Sequence, residues 1–401
     1  METINILGVK ISKINKKEAL IQIKKFLNSE KQHYIVTPNP EIILLARKDE
    51  EFFYILNNAS LSLPDGIGLK FAALVMSENL KRITGADITN DILKIASSKK
   101  LKVAILNRID GLSSKDKIEK AIKRYYPDLS FKIFNIKRDE KAQNLKFLEK
   151  YKPHILFAGL GAPWQEKIIY HSLKLFPFIK LGIGVGGSFD FLSGEAKRAP
   201  CFLRLIGLEW LWRLIRQPRR AKRIFNATVI FPLMFLKWKF ILPFLYRPNI
   251  ACLLYKKEDD NYKILLVERK EEKGHWQIPQ GGIEKKEDLW RAGMRELKEE
   301  INCDKFKPIA IFPNLWQYDF KSQKSKFGIL AKNAWGYRGQ RQSLFIAEFL
   351  GKDEDIKINF WEHSNWKWVS LKDFIKEAYP IRREAYKIYL NKFINLKHIN
   401  I

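Results

Sequence analysis

Three glutamates crowd the end of one predicted helix, and their spacing suits a bound cation. The stretch GGIEKKEDLWRAGMRELKEE runs from Gly281 and ends with Glu296, Glu299 and Glu300. Residues three and four positions apart share a helix face, where like charges repel one another. Carboxylate oxygens are the ligands that Mg2+ prefers. The spacing therefore predicts that Glu296, Glu299 and Glu300 bind Mg2+, and a solvated charged face is the alternative.

The residues before this helix favour the metal site. Ile278–Gly282 reads IPQGG, a loop with one proline and two glycines, and such a loop lets backbone approach a ligand closely. A loop, a helix and a carboxylate cluster in this order are typical of a site that binds a metal ion and phosphate.

This stretch resembles the Nudix box, in which a glycine is followed at fixed offsets by Glu, Arg-Glu, an aliphatic residue and Glu-Glu. The matching residues are Gly281, Glu287, Arg295, Glu296, Leu297, Glu299 and Glu300. The family has glycine where this chain has Asn302, and asparagine is the best substitute in the left-handed backbone that ends such a helix. Glu287 is expected to brace the box, for example against Arg295.

Further upstream, polar loops follow predicted strands. Apolar runs begin near Tyr34, Leu61, Lys102, His154 and Lys180, and helix-like stretches such as 40–59 lie between them. This alternation predicts an α/β domain with a mostly parallel sheet, in which ligands bind beyond the carboxyl ends of the strands.

Four loops would meet at that edge: TPNPE from Thr37, PDGIG from Pro64, GAPWQEK from Gly161 and GGSFDFLSGEAKRAP from Gly186. Each alone is explained by turn chemistry, but together they exceed what turns require. Asp65, a carboxylate in a Gly-flanked loop, is the expected general base acting on a hydroxyl.

Six blocks of the first half resemble, in family order, the WecG/TagA/CpsF glycosyltransferases. They are VTPNPEIILLARKD, LPDGIGL, RITGAD, GLGAPWQEK, GVGGSFDFLSGEAKRAP and GLEWLWRLIRQPRR. The resemblance implies a Rossmann-like parallel-sheet fold. It also implies inverting transfer of N-acetylmannosamine, or its uronic acid, from a UDP-sugar donor to an undecaprenyl-diphosphate-linked N-acetylglucosamine acceptor, with no cofactor required.

Carried over by position, this resemblance gives Asp65 the role of base. Thr37 and Asn39 would line the same pocket, and Gln165 would help to hold substrate. The diphosphates would meet four arginines, Arg82, Arg213, Arg220 and Arg223, because the guanidinium fork pairs with phosphate oxygens.

The second half resembles bacterial RNA pyrophosphohydrolases and dinucleoside polyphosphate hydrolases of the Nudix family. The matching segments are YRPNI, WQIPQGG and GQRQ. The resemblance implies an α/β/α sandwich, and it makes Glu362 a further catalytic carboxylate. Arg247 and Arg269 are candidate contacts for a nucleotide or RNA 5' end, although ordinary surface positions explain them equally well.

An apolar segment separates the halves. Ile224–Tyr246 is rich in aromatic residues and follows a basic stretch, but its longest uncharged run has 13 residues, and Pro232 and Pro243 are expected to break it. The expected division is 1–223, glycosyltransferase; 224–246, membrane-surface segment or buried linker; and 247–401, Nudix domain. Basic residues beside an apolar segment favour an anionic membrane surface.

Composition agrees with this division without deciding it. The net charge of +29 suits polyanionic partners, and a generally lysine-rich sequence explains it equally well. Three scattered cysteines predict no disulfides, and the N-terminus lacks a signal-peptide core. The expected location is cytoplasmic, peripheral on the inner face of the plasma membrane, and the oligomeric state is left open.

The sequence thus predicts a fusion of two enzymes. Two alternatives for the Nudix half stay open: hydrolysis of UDP-sugars, or non-catalytic nucleotide sensing that regulates the transferase, against which the intact Glu set argues. A third reading makes the whole chain a scaffold without activity, and Asp65 together with the arginine-rich tail argues against it.

Overall fold

The chain folds into two compact units, Met1–Lys237 and Trp238–Ile401. The computed structural model describes residues 1–200, 202–203, 209–216, 218–258, 261–320 and 335–398. Each unit has its own sheet and its own buried core, as expected for separate domains.

A parallel sheet forms the centre of the first unit. A hairpin of Thr3–Ile6 (β1) and Val9–Ser12 (β2) precedes it, and its strands are His33–Val36 (β3), Leu61–Ser62 (β4), Val103–Arg108 (β5), Phe131–Ile136 (β6), Ile155–Ala158 (β7) and Leu181–Gly184 (β8). The order is β4-β3-β8-β7-β5-β6 and every pairing is parallel. The predicted α/β class and its five strands are confirmed, and β6 was missed.

Helices cover both faces of this sheet. They are Lys16–Asn28 (α1), Pro40–Ala46 (α2), Glu50–Asn57 (α3), Ile67–Val75 (α4), Gly85–Ser98 (α5), Lys115–Tyr125 (α6), Phe147–Tyr151 (α7), Trp164–Leu175 (α8) and Ser188–Leu192 (α9). The helix-like stretch 40–59 is two helices, because Asp49 accepts a hydrogen bond from the Phe52 N–H (2.9 Å) and caps a new one. Gly182 admits α8, since a Cβ there would lie 2.4 Å from Ile169.

The first unit ends in helical segments. Glu209–Arg216 forms α10, and the next helix, α11, consists of Ala221–Phe225, a π turn at Asn226–Ile230, and Phe231–Phe240. The expectation that Pro232 breaks this segment is wrong. The π turn directly before Pro232 widens the backbone where the ring would clash, which is a common way for a helix to accommodate proline.

This apolar helix is also longer than the sequence suggested. By length and composition alone Ala221–Phe244, 24 residues, could cross a membrane, and only 22% of its most apolar stretch is buried. The 13-residue uncharged run was judged too short for a membrane span, but by length and composition the helical segment Ala221–Phe244 is long enough for one.

A mixed seven-stranded sheet forms the second unit. Its strands are Tyr246–Glu258 (β9), Asn261–Arg269 (β10), Trp276–Gln277 (β11), Gln280–Gly282 (β12), Phe306–Asp319 (β13), Gly339–Phe349 (β14) and His363–Ser370 (β15). The main path is β11-β10-β9-β14-β13, with β12 paired to β9 and β15 to β10. Among the described residues of this second sheet, β9 and β14 are the only strands that pair in parallel.

Helices lie on both faces of this second sheet. They are Leu289–Ile301 (α12), Leu371–Glu377 (α13) and Arg383–Lys397 (α14). Alternation along β9 divides the core, because Cys252 is buried with Leu297 of α12 while Leu253 is buried with Phe374 of α13. This confirms the predicted α/β/α sandwich.

Candidate active sites

A cavity of about 820 Å³ opens at the carboxyl ends of the parallel strands in the first unit. The loops after β3, β4, β5, β7 and β8 contribute to its wall. Of the residues singled out from the sequence, it is lined by Thr37, Asn39, Asp65, Arg82, Gln165, Arg220 and Arg223. The remaining one, Arg213, belongs to α10, but its side chain lies outside the described part of the chain.

The carboxylate of Asp65 is held in place yet remains accessible. Its backbone N–H donates to the Pro38 carbonyl (2.9 Å), and its Oδ2 accepts from the Gly85 N–H (3.4 Å). The Arg82 Nε lies 3.7 Å from Oδ1, and the Asp65 side chain is 28% exposed. Gly66 follows with φ of 99°, a turn that favours glycine. The arrangement leaves one carboxylate facing the cavity beside a cation.

Thr37 and Asn39 shape the loop after β3. The Thr37 hydroxyl donates to the Gly184 carbonyl (3.4 Å), and Asn39 caps α2 by accepting from the Ile42 N–H (3.0 Å). Both side chains also line the cavity, so each one holds the backbone of the wall and is exposed to the cavity interior.

Gln165 joins two loops of the cavity wall. Its Oε1 accepts from the N–H groups of Gly161 (3.1 Å) and Gly186 (2.9 Å), and its Nε2 donates to Glu166 (2.8 Å). The side chain is 3% exposed. These contacts make Gln165 a residue that positions two loops of the cavity wall.

Glu166, which the sequence analysis passed over, supports this link. It is 1% exposed, and among the described residues its Oε2 has no hydrogen-bond partner. Burial raises the pKa of its carboxyl to about 7.

Cations outnumber anions around the cavity. The cationic lining residues are Arg82, Arg108, Arg138, Lys197, Arg198, Arg220 and Arg223, against the acidic Glu41, Asp65, Asp190 and Glu195. Several of these arginines are paired with acids. Arg223 pairs with Glu41 through both carboxylate oxygens (2.7 and 2.8 Å), and Arg198 contacts Asp87 (2.8 Å) and Thr84 (3.3 Å). Arg108 pairs with Asp110 (3.0 Å), and Arg82 lies beside Asp65. Such a lining suits a diphosphate.

Arg108, Arg138 and Arg198 were missed from the sequence. Arg198 stands inside a quoted motif, and its position after β8 was the available signal. Arg108 ends β5, where the chain reads ILNRIDG in place of a glycine-rich turn, so no motif drew notice to it.

In the second unit, Arg295 stands between the predicted metal-binding carboxylates. It donates to both oxygens of Glu287 (2.8 Å each), to Glu296 (2.9 Å), to Glu299 (3.0 Å) and to the Gly282 carbonyl (2.9 Å). The hydrogen bonds between Arg295 and Glu287 are the main cause of two shifts: they lower the pKa of Glu287 and raise the pKa of Arg295. The expected bracing of the box by Glu287 is confirmed.

The two glycines that were predicted to lie in a loop belong to strand β12, paired with β9, and they fit closely over this network. A Cβ on Gly281 would lie 1.6 Å from the Glu296 Oε2, so only glycine fits while that carboxylate keeps its place. A Cβ on Gly282 would lie 2.2 Å from the Arg247 Nη2, which places that guanidinium at the loop. Arg247 also stacks over the Trp335 ring, 4.3 Å from its centroid.

A second group of ligand atoms gathers at the last glutamate of the helix. Glu300, Glu362 and His363 each offer one ligand atom within 4.8 Å of the others. The three predicted ligands therefore divide: Glu296 and Glu299 share Arg295, whereas Glu300 lies with Glu362. His363 was not singled out from the sequence, although it directly follows Glu362.

Asn302 connects the helix end to this group. It has φ of 47° and ψ of 37°, which confirms the predicted left-handed end of α12. Its amide also donates to the Lys357 carbonyl (2.6 Å) and to Asn359 (2.8 Å), and Asn359 donates to the Glu299 carbonyl (2.7 Å). A glycine could not tether the 357–363 loop in this way.

Arg269 has a different environment from Arg247. It ends β10 opposite His363, and its guanidinium contacts Glu271 at 3.2 Å with 40% of the side chain exposed. These contacts are compatible both with Arg269 as a ligand for a substrate phosphate and with Arg269 as an ordinary surface charge.

The donor set of the second unit fits a divalent cation. Oxygen atoms come from Glu296, Glu299, Glu300 and Glu362, and the close approach at Gly281 forms a cradle for the Glu296 carboxylate.

Comparison with known proteins assigns both units. Residues 4–243 match the model of the "Glycosyl transferase WecG/TagA/CpsF family", and residues 245–389 match the "NUDIX domain" model. An N-acetylglucosaminyldiphosphoundecaprenol N-acetyl-beta-D-mannosaminyltransferase of Bacillus subtilis is 34% identical over 221 residues, which are 51% of this chain and 82% of the relative.

Two further proteins are similar to the second unit. An RNA pyrophosphohydrolase of Wolbachia pipientis is 31% identical over 156 residues, which are 38% of this chain and 91% of the relative. A solved Ap4A hydrolase of C. elegans aligns at 22% identity with a TM-score of 0.29, covering 37% of this chain and 98% of that one.

Proposed function

We propose a two-reaction enzyme on the premise that this chain belongs to the WecG/TagA/CpsF glycosyltransferase family over residues 4–243 and to the Nudix family over residues 245–389. The first unit transfers N-acetylmannosamine, or its uronic acid, from UDP to undecaprenyl-diphosphate-linked N-acetylglucosamine. The second hydrolyses a diphosphate linkage in 5'-triphosphorylated RNA or in dinucleoside polyphosphates. These substrates follow from the names of the relatives and from the motifs YRPNI, WQIPQGG and GQRQ.

The observation that carries the transferase is Asp65 beside Arg82 in a cationic cavity. Asp65 takes the proton of the acceptor hydroxyl, and the hydroxyl oxygen bonds to the anomeric carbon as the bond from that carbon to UDP breaks. UDP leaves with the electron pair, and arginines such as Arg82 and Arg220 meet its diphosphate. Attack opposite the leaving group inverts the anomeric centre.

In the second unit, the intact carboxylate set carries the hydrolase. Glu296, Glu299, Glu300 and Glu362 would hold Mg2+, which when bound neutralises phosphate charge and activates water. Arg295 holds the first two carboxylates, and Glu287 holds Arg295 in turn. Arg247, placed at Gly282, is in position to contact a substrate phosphate beside the box.

We further propose that α11 rests on an anionic membrane surface. Its exposed apolar side chains recur every three or four residues: Phe225, Val229, Leu233, Leu236 and Phe240. Phe231, Phe235 and Trp238 are buried instead. Lys222, Arg223, Lys237 and Lys239 add positive charge along the same helix. An apolar stripe with basic neighbours suits the inner leaflet, where the lipid-linked acceptor is anchored.

Paired active-site variants of the full chain test both reactions. Asp65→Asn should lower sugar transfer from UDP-N-acetylmannosamine by roughly 100-fold to 10,000-fold and leave hydrolysis of triphosphorylated RNA unchanged. Glu299→Gln should do the reverse. In each variant the unaffected reaction reports the amount of intact chain, and an unchanged thermal unfolding transition reports that the altered unit is folded. Sugar transfer at normal rates by Asp65→Asn would remove Asp65 as the base. Preference for UDP-sugars over RNA and dinucleoside polyphosphates would replace the proposed Nudix substrate.

A further inference from the structure

We propose that His363 is a metal ligand, and that it makes the group of Glu300, Glu362 and His363 select Mn2+ over Mg2+. The inference rests on the hydrolase proposed above and adds a nitrogen donor to its oxygen donors. The imidazole is buried, with the His363 side chain 3% exposed, and its Nε2 closely contacts the Glu300 Oε2. Glu300, Glu362 and His363 each offer one ligand atom, and these three atoms all lie within 4.8 Å of one another.

The backbone fixes His363 in this place. Its N–H donates to the Asn359 carbonyl (2.9 Å), and as the first residue of β15 it pairs with Arg269 of β10. Asn359 is tied in turn to the end of α12 through the Glu299 carbonyl and Asn302. The loop that supplies two ligands is therefore anchored to the helix that supplies the third, as a preorganised metal site requires.

Nitrogen changes which cation the group prefers. Mg2+ favours oxygen ligands in near-ideal octahedral geometry and gives up its water reluctantly. Imidazole suits transition metals, and Mn2+ also accepts carboxylates. A buried imidazole with two carboxylates is thus a better site for Mn2+ than for Mg2+. The oxygen-only pair Glu296 and Glu299 has no such bias and stays suited to Mg2+.

Mn2+ is the probe that tests this inference, because pulsed EPR detects a nitrogen nucleus bonded to it. Untagged full-length protein loaded with Mn2+ should show nitrogen modulation from imidazole. His363→Phe should abolish it and weaken Mn2+ binding at least about tenfold by titration calorimetry, while Mg2+ binding changes less than about threefold. His363→Gln, closer in polarity, should lose the same signal.

His275 provides the matched control, since it is another buried histidine of the same unit, stacked on Tyr379. His275→Phe should keep the nitrogen signal, and an unchanged thermal unfolding transition of the second unit reports that each variant folds. Mn2+ bound without nitrogen modulation in the wild type would overturn the proposal, as would a signal that survives His363→Phe. A nitrogen signal in a protein that hydrolyses no diphosphate would instead reject the hydrolase and leave the metal ligand standing.

Discussion

Adding one methyl group at Gly281 should silence the hydrolase. The new Cβ would lie 1.6 Å from the Glu296 Oε2 and 2.0 Å from its Cδ, whereas real Cβ contacts stay beyond 3.0 Å. The carboxylate must therefore move by at least about 1.4 Å, because the backbone of a strand paired with β9 yields less readily than the end of a side chain. This movement also pulls Glu296 away from Arg295, to which it is bonded at 2.9 Å.

A displacement of this size sets the expected loss of rate. Moving a catalytic group by about 1 Å can cost about 100-fold, so Gly281→Ala should lower kcat/KM by at least that factor, or about 3 kcal/mol of transition-state stabilisation. The assay is phosphate release from triphosphorylated RNA by the full chain, with metal binding measured by thermal shift. Sugar transfer in the same preparation serves as the internal control.

Gly282→Ala is the neighbouring comparison. There the added Cβ would meet the Arg247 guanidinium at 2.2 Å, the far end of a flexible side chain. It should raise KM for RNA more than it lowers kcat, because it disturbs a proposed substrate contact and leaves Glu296 in place. If Gly281→Ala kept kcat/KM within about threefold and bound metal normally, Glu296 would not act from its observed position.

Three further predictions follow from burial and charge. Glu166→Gln should make the first unit more stable at pH 8 by up to about 3 kcal/mol. Burial raises the folded pKa of Glu166 from its ordinary 4.5 to about 7, so the wild-type fold loses stability as pH rises through this window. Calorimetry at pH 4.5 and 8 checks it, and a pH-independent difference would refute it. Glu287→Gln should destabilise the second unit by about 2 kcal/mol at pH 7, and this difference should shrink as pH falls through the lowered folded pKa of Glu287. Denaturant unfolding followed by fluorescence measures the free energy of unfolding of wild type and variant at each pH. An equal difference at acidic pH would contradict the reasoning. The double variant Leu233→Gln with Phe240→Gln should weaken sedimentation of the protein with anionic vesicles, whereas Leu350→Gln, at a similarly exposed position elsewhere, should not. Unchanged binding by the double variant would reject the membrane stripe. Vesicle binding of the wild type that resists an alkaline wash would indicate a membrane span.

Much of the first site was predictable because parallel topology is simple. Once strands and helices alternate, the loops after the strands must meet at one edge, so Thr37, Asp65 and Gln165 could be placed together without any contact being known. Only their individual contacts stayed hidden. That Gln165 holds two loops depends on backbone N–H groups 4 and 21 residues away, and no local pattern encodes such a pairing.

The misses share a physical cause as well. Pro232 was expected to end a helix on local grounds, yet one π turn absorbs its ring, and such a turn carries no sequence signature. In sequence His363 is an ordinary residue at the start of a strand, and its role emerges only because Glu300, 63 positions earlier, lies against it. Both depend on tertiary packing that periodicity cannot report.

The crowded carboxylates of α12 show where sequence reasoning and structure meet. Repulsion among Glu296, Glu299 and Glu300 required a cation, and one is supplied by the chain itself, since Arg295 contacts the first two. Glu300 instead turns toward Glu362 and His363. A helix made only for solvent would have no reason to bury Glu296 and Glu300 to 9% and 4% exposure, because burying charge without partners is costly. Their burial therefore argues for cations of two kinds: the Arg295 guanidinium, which organises Glu296 and Glu299, and the metal ions that these carboxylates and the Glu300 group are proposed to bind.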